Sequence, residues 1–223
     1  MLIKVCGLRE PDNIHAVEQL GIDLMGFIFY PKSPRYVAMQ RSLAGILPDC
    51  AEEALQDRDH NMARVGVFVD DMPQNIVTRV VNFGLDYVQL HGNESTVMID
   101  NLRATLDPDI HKGVKIIKAI SVASADDLLK ANVYQGHVDL LLFDTKCPTK
   151  GGSGEQFDWT VLDHYTGKTP FLLSGGIGPE DAARVKMFKH PQCAGIDLNS
   201  RFESSPGVKD VKLLKQFVKE VRK

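Results

Sequence analysis

The chain has 223 residues, with 26 Lys and Arg against 29 Asp and Glu, a formal charge of −3. Hydrophobic residues make up 43% and charged residues 25%, which suits a folded globular protein and excludes a disordered chain. No basic surplus points to a nucleic-acid partner, and no run reaches the roughly 20 apolar residues of a membrane span.

In chain order, short runs rich in Val, Ile, Leu and Phe alternate with helix-like segments of mixed charge. The N-terminus meets Lys4 and Arg9 early, unlike a signal peptide, and IKVC (3–6) is the first strand. PDNIHAVEQLG follows as a helix: Pro11 marks its start, Ile14, Val17 and Leu20 recur at helical spacing, and Gly21 is the expected C-cap. DLMGFIF (23–29) is the second strand, and DCAEEALQDRDHNMA (49–63) reads as an extended helix and loop. RVGVFV (64–69) precedes MPQNIVTRVVNFG, a helix with Pro73 early and Gly84 at its stop. DYVQL (86–90), KIIKAI (115–120), DLLLFD (139–144), PFLLSG (170–175) and AGIDLN (194–199) bring the strands to eight. NESTVMIDNLRATL, SADDLLKANV and GPEDAARVKMF are helical segments between them. The last helix, GVKDVKLLKQFVKEVRK, sets Val211, Leu214 and Val218 on one side.

Strands that lack polar alternation suit a parallel sheet buried on both faces. Eight βα units without a Ser- or Pro-rich linker predict an α/β fold, a single-domain (β/α)8 TIM barrel over residues 1–223. A doubly wound open sheet is the alternative, and the unbroken rhythm of eight favours closure.

Barrel active sites lie at the carboxyl ends of the strands. There the sequence places Cys6, Arg35, His91, Asp144, the Ser174-Gly175-Gly176 turn, and Asp197, Asn199 and Ser200. In SGGIGPED the two glycines let backbone amides approach a phosphate, and LNSRFESSPG after strand eight can supply a short extra helix with Asn199 and Ser200 as caps. Gly-Gly alone can equally be a tight turn. Arg35, in a loop stiffened by Pro31 and Pro34, is either a surface group or a bidentate carboxylate ligand. Cys6 is either a core thiol or, with a lowered pKa, a base. Asp144 closes an apolar strand and faces either solvent or a site, where partial burial would let it act as an acid. The loop TKCPTKGGSGEQF (145–157) is long for a βα connection and can close over substrate. His15, His60, His111, His137, His164 and His190 are assigned to the surface. No HExxH or CxxC pattern occurs, so no metal site is expected, and the four cysteines (Cys6, Cys50, Cys147, Cys193) fit a reducing cytoplasm.

IKVCGLREPDNI, GFIFYPKSPRYV, VQLHG, FDTKCPTKGGSGEQFDW, FLLSGGIGPEDA and GIDLNSRFESSPGVKD occur in that order. Together they resemble phosphoribosylanthranilate isomerase over nearly the whole chain. The resemblance implies an Amadori rearrangement of N-(5-phosphoribosyl)anthranilate in tryptophan biosynthesis, with no metal or organic cofactor. It implies Cys6 as general base, Asp144 as general acid and Arg35 as ligand of the anthranilate carboxylate. Gly175, Gly176, Asn199 and Ser200 would bind phosphate, and His91 and Asp197 would bond sugar hydroxyls or tune the acid and base. The partner is then a small phosphorylated aminosugar, with no nucleic acid and no membrane, and the chain is a monomer or homodimer. Arg201 stands where relatives often carry glycine, which leaves the conformation of that loop open. Two other readings compete. Indole-3-glycerol-phosphate synthase would need a lysine and a glutamate at strand ends, and Lys4 and Lys115 find no matching glutamate. A non-catalytic sugar-phosphate barrel would leave Cys6 and Asp144 unexplained.

Overall fold

A computed structural model describes residues 1–38, 62–107, 110–145 and 158–223. The expected 49–63 helix and loop falls almost entirely outside these residues, as do residues 146–157 of the expected closing loop, Cys50, His60 and Cys147.

Eight parallel strands close in sequence order: β1 (Leu2–Cys6), β2 (Leu24–Ile28), β3 (Ala63–Phe68), β4 (Tyr87–Leu90), β5 (Lys115–Val122), β6 (Leu140–Thr145), β7 (Phe171–Ser174) and β8 (Cys193–Leu198). Closure is made by β1 on β8, where Lys4 lies level with Asp197 and, on the other side, with Leu24 of β2. This is the (β/α)8 barrel, and the open-sheet alternative falls. The lack of polar alternation now has its cause. Leu24, Val65, Ile117, Leu140, Leu142 and Leu172 fill the barrel, while Phe27, Val88, Leu90, Ile116, Leu141 and Phe143 pack outward into a second, larger core. Phe143 is fully buried against Tyr165 and Phe171, so Phe143→Ala would cost about 3–5 kcal/mol.

The aspartates that open three strand motifs share one task at the amino end of the barrel. Asp23, Asp86 and Asp139 each accept the N–H of a residue near the start of the preceding strand, Ile3, Arg64 and Ile116, at 2.7–2.8 Å. They hold neighbouring strands in register at the end away from the reactive rim.

The helices are α1 (Pro11–Glu18), α2 (Pro73–Phe83), α3 (Thr96–Leu106), α4 (Ala182–Met187) and α5 (Val211–Arg222). α2 begins at Pro73 and ends on Gly84 in the left-handed region, as its sequence predicts. Gly21 does not cap α1. That helix ends at Glu18 with Gln19 as cap, and Gly21 takes its positive φ in the turn into β2. SADDLLKANV forms 3₁₀ turns over Ala125–Tyr134, fastened where the Asp127 carboxylate accepts the N–H groups of Ala123 and Ser124. α5 is capped by Asp210 and buries Leu214, Phe217, Val218 and Val221, with Val211 only partly covered. After β8 comes the short extra helix, Ser200–Phe202, then a hairpin of β9 (Glu203–Ser205) and β10 (Val208–Lys209).

Candidate active site

A cavity of about 330 Å³ opens at the carboxyl end of the barrel. Strand pleating decides what reaches it. Lys4 and Cys6 point inward as successive residues on one face of β1, with Lys4 below and Cys6 lining the cavity. Gln89 and His91 do the same at β4, Asp144 at β6, Ser174 at β7 and Asp197 at β8. Gly175, Gly176, Asn199, Ser200 and Arg201 complete the wall. Gly175 and Gly176 both carry positive φ, 95° and 68°, the backbone that Gly-Gly permits.

The base side is dense and buried. Lys4, with no exposed surface, sets its Nζ 2.7 Å from Asp197 Oδ1. Ser174 Oγ donates to Asp197 Oδ2 at 3.1 Å. Gly26 of β2 leaves room for the thiol, because a Cβ there would lie 2.8 Å from Cys6 Sγ. Cys6 is 4% exposed, and burial pushes its thiol above the ordinary value, with Asp197 adding to the rise. Lys4 and Lys209 pull it down without winning. The lowered pKa expected for a base is therefore not found. Burial also pulls on the Lys4 ammonium, but Asp197 and Cys6 outweigh it and hold its proton more tightly than usual.

On the acid side Asp144 is about one-fifth exposed, and its Oδ2 lies 3.5 Å from His91 Nε2. The Gln89 amide Nε2 lies 3.4 Å from His91 Nδ1. If Gln89 donates there, the imidazole proton sits on Nε2, facing Asp144. Gln89 is 1% exposed, and its Oε1 has no hydrogen-bond partner among the described residues.

The structure thus brings the sequence-predicted rim residues to one cavity, with one exception. Arg35 does not line it. Its guanidinium grips Glu203 of β9. Asn199 stands at the start of the short helix, yet its side chain accepts from Lys209 Nζ at 2.8 Å instead of capping. Arg201 pairs with Glu180 of the β7 loop at the cavity edge, so the residue in the glycine position is compatible with a formed helix. His190 is not a plain surface group: it packs 5.0 Å from the Phe171 ring and bonds the Tyr165 carbonyl.

Sequence reasoning missed Gln89, Glu203 and Lys209, and it weighed Lys4 only as a candidate for other chemistry. The Lys4 signal was present, since a residue two before Cys6 on a strand shares its face. The lysine–glutamate pair sought for the synthase reading exists elsewhere, as Lys118 and Glu94 at 3.1 Å. Lys118 also donates to the Leu90, Gly92 and Ala119 carbonyls, so its protons are committed to holding the β4 and β5 ends.

Residues 3–220 match the family model of N-(5'phosphoribosyl)anthranilate (PRA) isomerase. The chain is 43% identical over 221 residues to N-(5'-phosphoribosyl)anthranilate isomerase of Parabacteroides distasonis, covering 99% of this chain and 93% of that one. It is 44% identical over 222 residues to the protein of the same name from Phocaeicola vulgatus, covering 100% and 98%. A solved phosphoribosyl anthranilate isomerase in complex with reduced 1-(o-carboxyphenylamino)-1-deoxyribulose 5-phosphate superposes with a TM-score of 0.77 at 26% identity, over 100% of this chain and 98% of that one.

Proposed function

The chain belongs to the N-(5'-phosphoribosyl)anthranilate isomerase family, and from that membership we propose how its own residues divide the reaction. The enzyme isomerises N-(5'-phosphoribosyl)anthranilate in tryptophan biosynthesis, an Amadori rearrangement that yields 1-(2-carboxyphenylamino)-1-deoxyribulose 5-phosphate.

In our reading Asp144 donates a proton to the furanose ring oxygen. The C1′–O bond breaks and the anthranilate nitrogen forms a protonated Schiff base with C1′. Cys6 takes the C2′ proton, the C–H pair becomes the C1′–C2′ double bond of an enolamine, and that species tautomerises to the ketone. The observation that carries the assignment is one cavity shared by Cys6 of β1 and Asp144 of β6, with Gly175, Gly176, Asn199 and Ser200 on its β7–β8 wall. Phosphate on that wall would hold the sugar between acid and base.

Cys6 acts from its thiolate form, which takes the C2′ proton and becomes the thiol; burial disfavours that form, and Lys4 beneath, a fixed cation, opposes the burial. Gln89 and His91 orient the Asp144 side. Asp197 acts through Lys4. Arg35 is the carboxylate ligand of this reading. Residues 1–223 work as one catalytic domain, in a cytoplasm that keeps Cys6 reduced.

Freshly generated substrate is fluorescent and its signal falls with turnover. Cys6→Ser and Asp144→Asn should each lower kcat by at least about 10³-fold, towards the limit for lost acid–base catalysis, while still binding the reduced product analogue. Wild-type kcat in either variant would remove that residue from the mechanism.

A further inference from the structure

The hairpin after β8 carries a charged cluster whose centre, Glu203, has no part in the chemistry above. Glu203 accepts from Arg35 Nε at 2.9 and 3.1 Å and from Arg35 Nη2 at 2.6 Å. Its other neighbours are Lys209 Nζ at 2.7 Å and the Gly207 N–H at 3.2 Å. Lys209 Nζ also donates to Asn199 Oδ1, and Asn13 of α1 pins the Lys209 backbone through both its N–H and its carbonyl.

We propose that Glu203 is a positioning residue for the substrate carboxylate: it holds Arg35 by one edge of the guanidinium and leaves the other edge for the anthranilate. The proposal rests on the reading of Arg35 as the carboxylate ligand. A guanidinium offers five N–H donors in a flat fork. Glu203 takes the Nε–Nη2 edge. The Nη1–Nη2 edge can still meet a second carboxylate through two parallel bonds. The stem of Arg35 runs against Gly7, where a Cβ would lie 2.6 Å from Arg35 Cδ, so the guanidinium is held beside the residue that follows Cys6.

Charge decides whether such a site still attracts an anion. Arg35 and Lys209 carry two positive charges and Glu203 one negative, so the cluster keeps a net +1. Burial would raise the Glu203 carboxyl, but Arg35 and Lys209 outweigh it and keep it ionised. Burial lowers the Lys209 ammonium, and Glu203 is what mainly opposes that. Without Glu203, Lys209 would shed its proton more readily, so its loss does not simply add positive charge. What is lost is the aim of Arg35. Through Lys209 and Asn199 the same cluster reaches the expected phosphate segment, which would fix both ends of one substrate relative to each other.

The test compares two probes: the reduced carboxyphenylamino deoxyribulose phosphate and its phenylamino counterpart without the carboxylate. Glu203→Gln should weaken the first about tenfold and the second less than about twofold, the scale of a lost charge-assisted contact. In a double-mutant cycle, Arg35→Met with Glu203→Gln should bind the first probe no worse than Arg35→Met alone. Equal weakening of both probes, or additive losses, would make Glu203 a merely structural group. If Arg35→Met itself left the first probe unaffected, the carboxylate-ligand reading would fail and take this one with it. If Arg35→Met discriminated and Glu203→Gln did not, only the positioning role would fall. Should Glu203→Gln not fold, Glu203→Asp serves instead: it keeps the charge but draws the carboxylate back from the Arg35 guanidinium, and it too should weaken the first probe selectively, whereas equal weakening of both probes would overturn the positioning role.

Discussion

The two sides of the cavity are built differently. On the β1–β8 side, Lys4, Asp197 and Ser174 form a buried chain under Cys6, with the Lys4–Asp197 contact at 2.7 Å and neither side chain more than 7% exposed. On the β4–β6 side, His91 and Asp144 stand 3.5 Å apart with 32% and 22% exposure. Removing one partner of a buried ion pair costs about 3–5 kcal/mol, whereas exposed pairs contribute about 0–1 kcal/mol. The base is therefore set in a rigid charged bed, and the acid stands in a looser arrangement open to water. The difference suits their tasks. A thiolate that must exist in a buried site needs a fixed cation beneath it. An acid that gives up a proton in each turnover needs a route for its return.

The largest effect should come from disturbing the buried side. Lys4→Met would leave Asp197 charged and unpaired, lowering stability by about 3–5 kcal/mol. Lys4→Met combined with Asp197→Asn should recover part of that loss, because the stranded charge is gone. This double variant should still turn over about a hundredfold more slowly, as the thiolate has lost its cation, an effect of about 2.7 kcal/mol. The pH response separates this from simple damage. Because the Cys6 pKa is raised, alkylation of Cys6 by iodoacetamide in the unliganded enzyme should keep climbing beyond pH ~8.5, where an ordinary thiol is half titrated. In the double variant the climb depends on what is removed: the Lys4 cation lowers the thiol pKa and the Asp197 anion raises it, and Lys4 acts more strongly, so the curve should move to still higher pH. A plateau near pH 7 in the wild type would contradict the buried-thiol account.

A smaller effect is expected on the open side. His91→Asn should lower kcat only about tenfold and leave stability within about 0.5 kcal/mol, as befits a long, partly solvated contact. Thermal melts and kcat measured together check this. A loss as large as that of the Lys4 and Asp197 pair would mean that the two sides are not different in kind.

Much of the barrel was legible in the sequence because each strand is apolar on both faces and each turn carries its own signal, as with Pro73 and Gly84 around α2. The rim residues were legible for the same reason, since a strand end fixes which residue is last. What stayed hidden depends on contacts between distant parts of the chain. Lys4 meets Asp197 across 193 residues and Arg35 meets Glu203 across 168, and no local pattern records either pairing. The direction of the Cys6 shift was hidden too, because it is a balance between burial and three charged neighbours that only the assembled barrel brings together. The 3₁₀ form of Ala125–Tyr134 escaped for a local reason. Its apolar spacing suits an α-helix, while the capping by Asp127 shapes its first turn.

The division of labour between Cys6 and Asp144 is tested most directly by a deuterium at C2′ of the substrate, with the residual turnover of Cys6→Ser and Asp144→Asn followed by fluorescence. Breaking the C2′ bond should limit the first variant and ring opening the second. The account predicts a severalfold slowing by deuterium in Cys6→Ser and almost none in Asp144→Asn. The reverse pattern, or equal slowing in both, would contradict it.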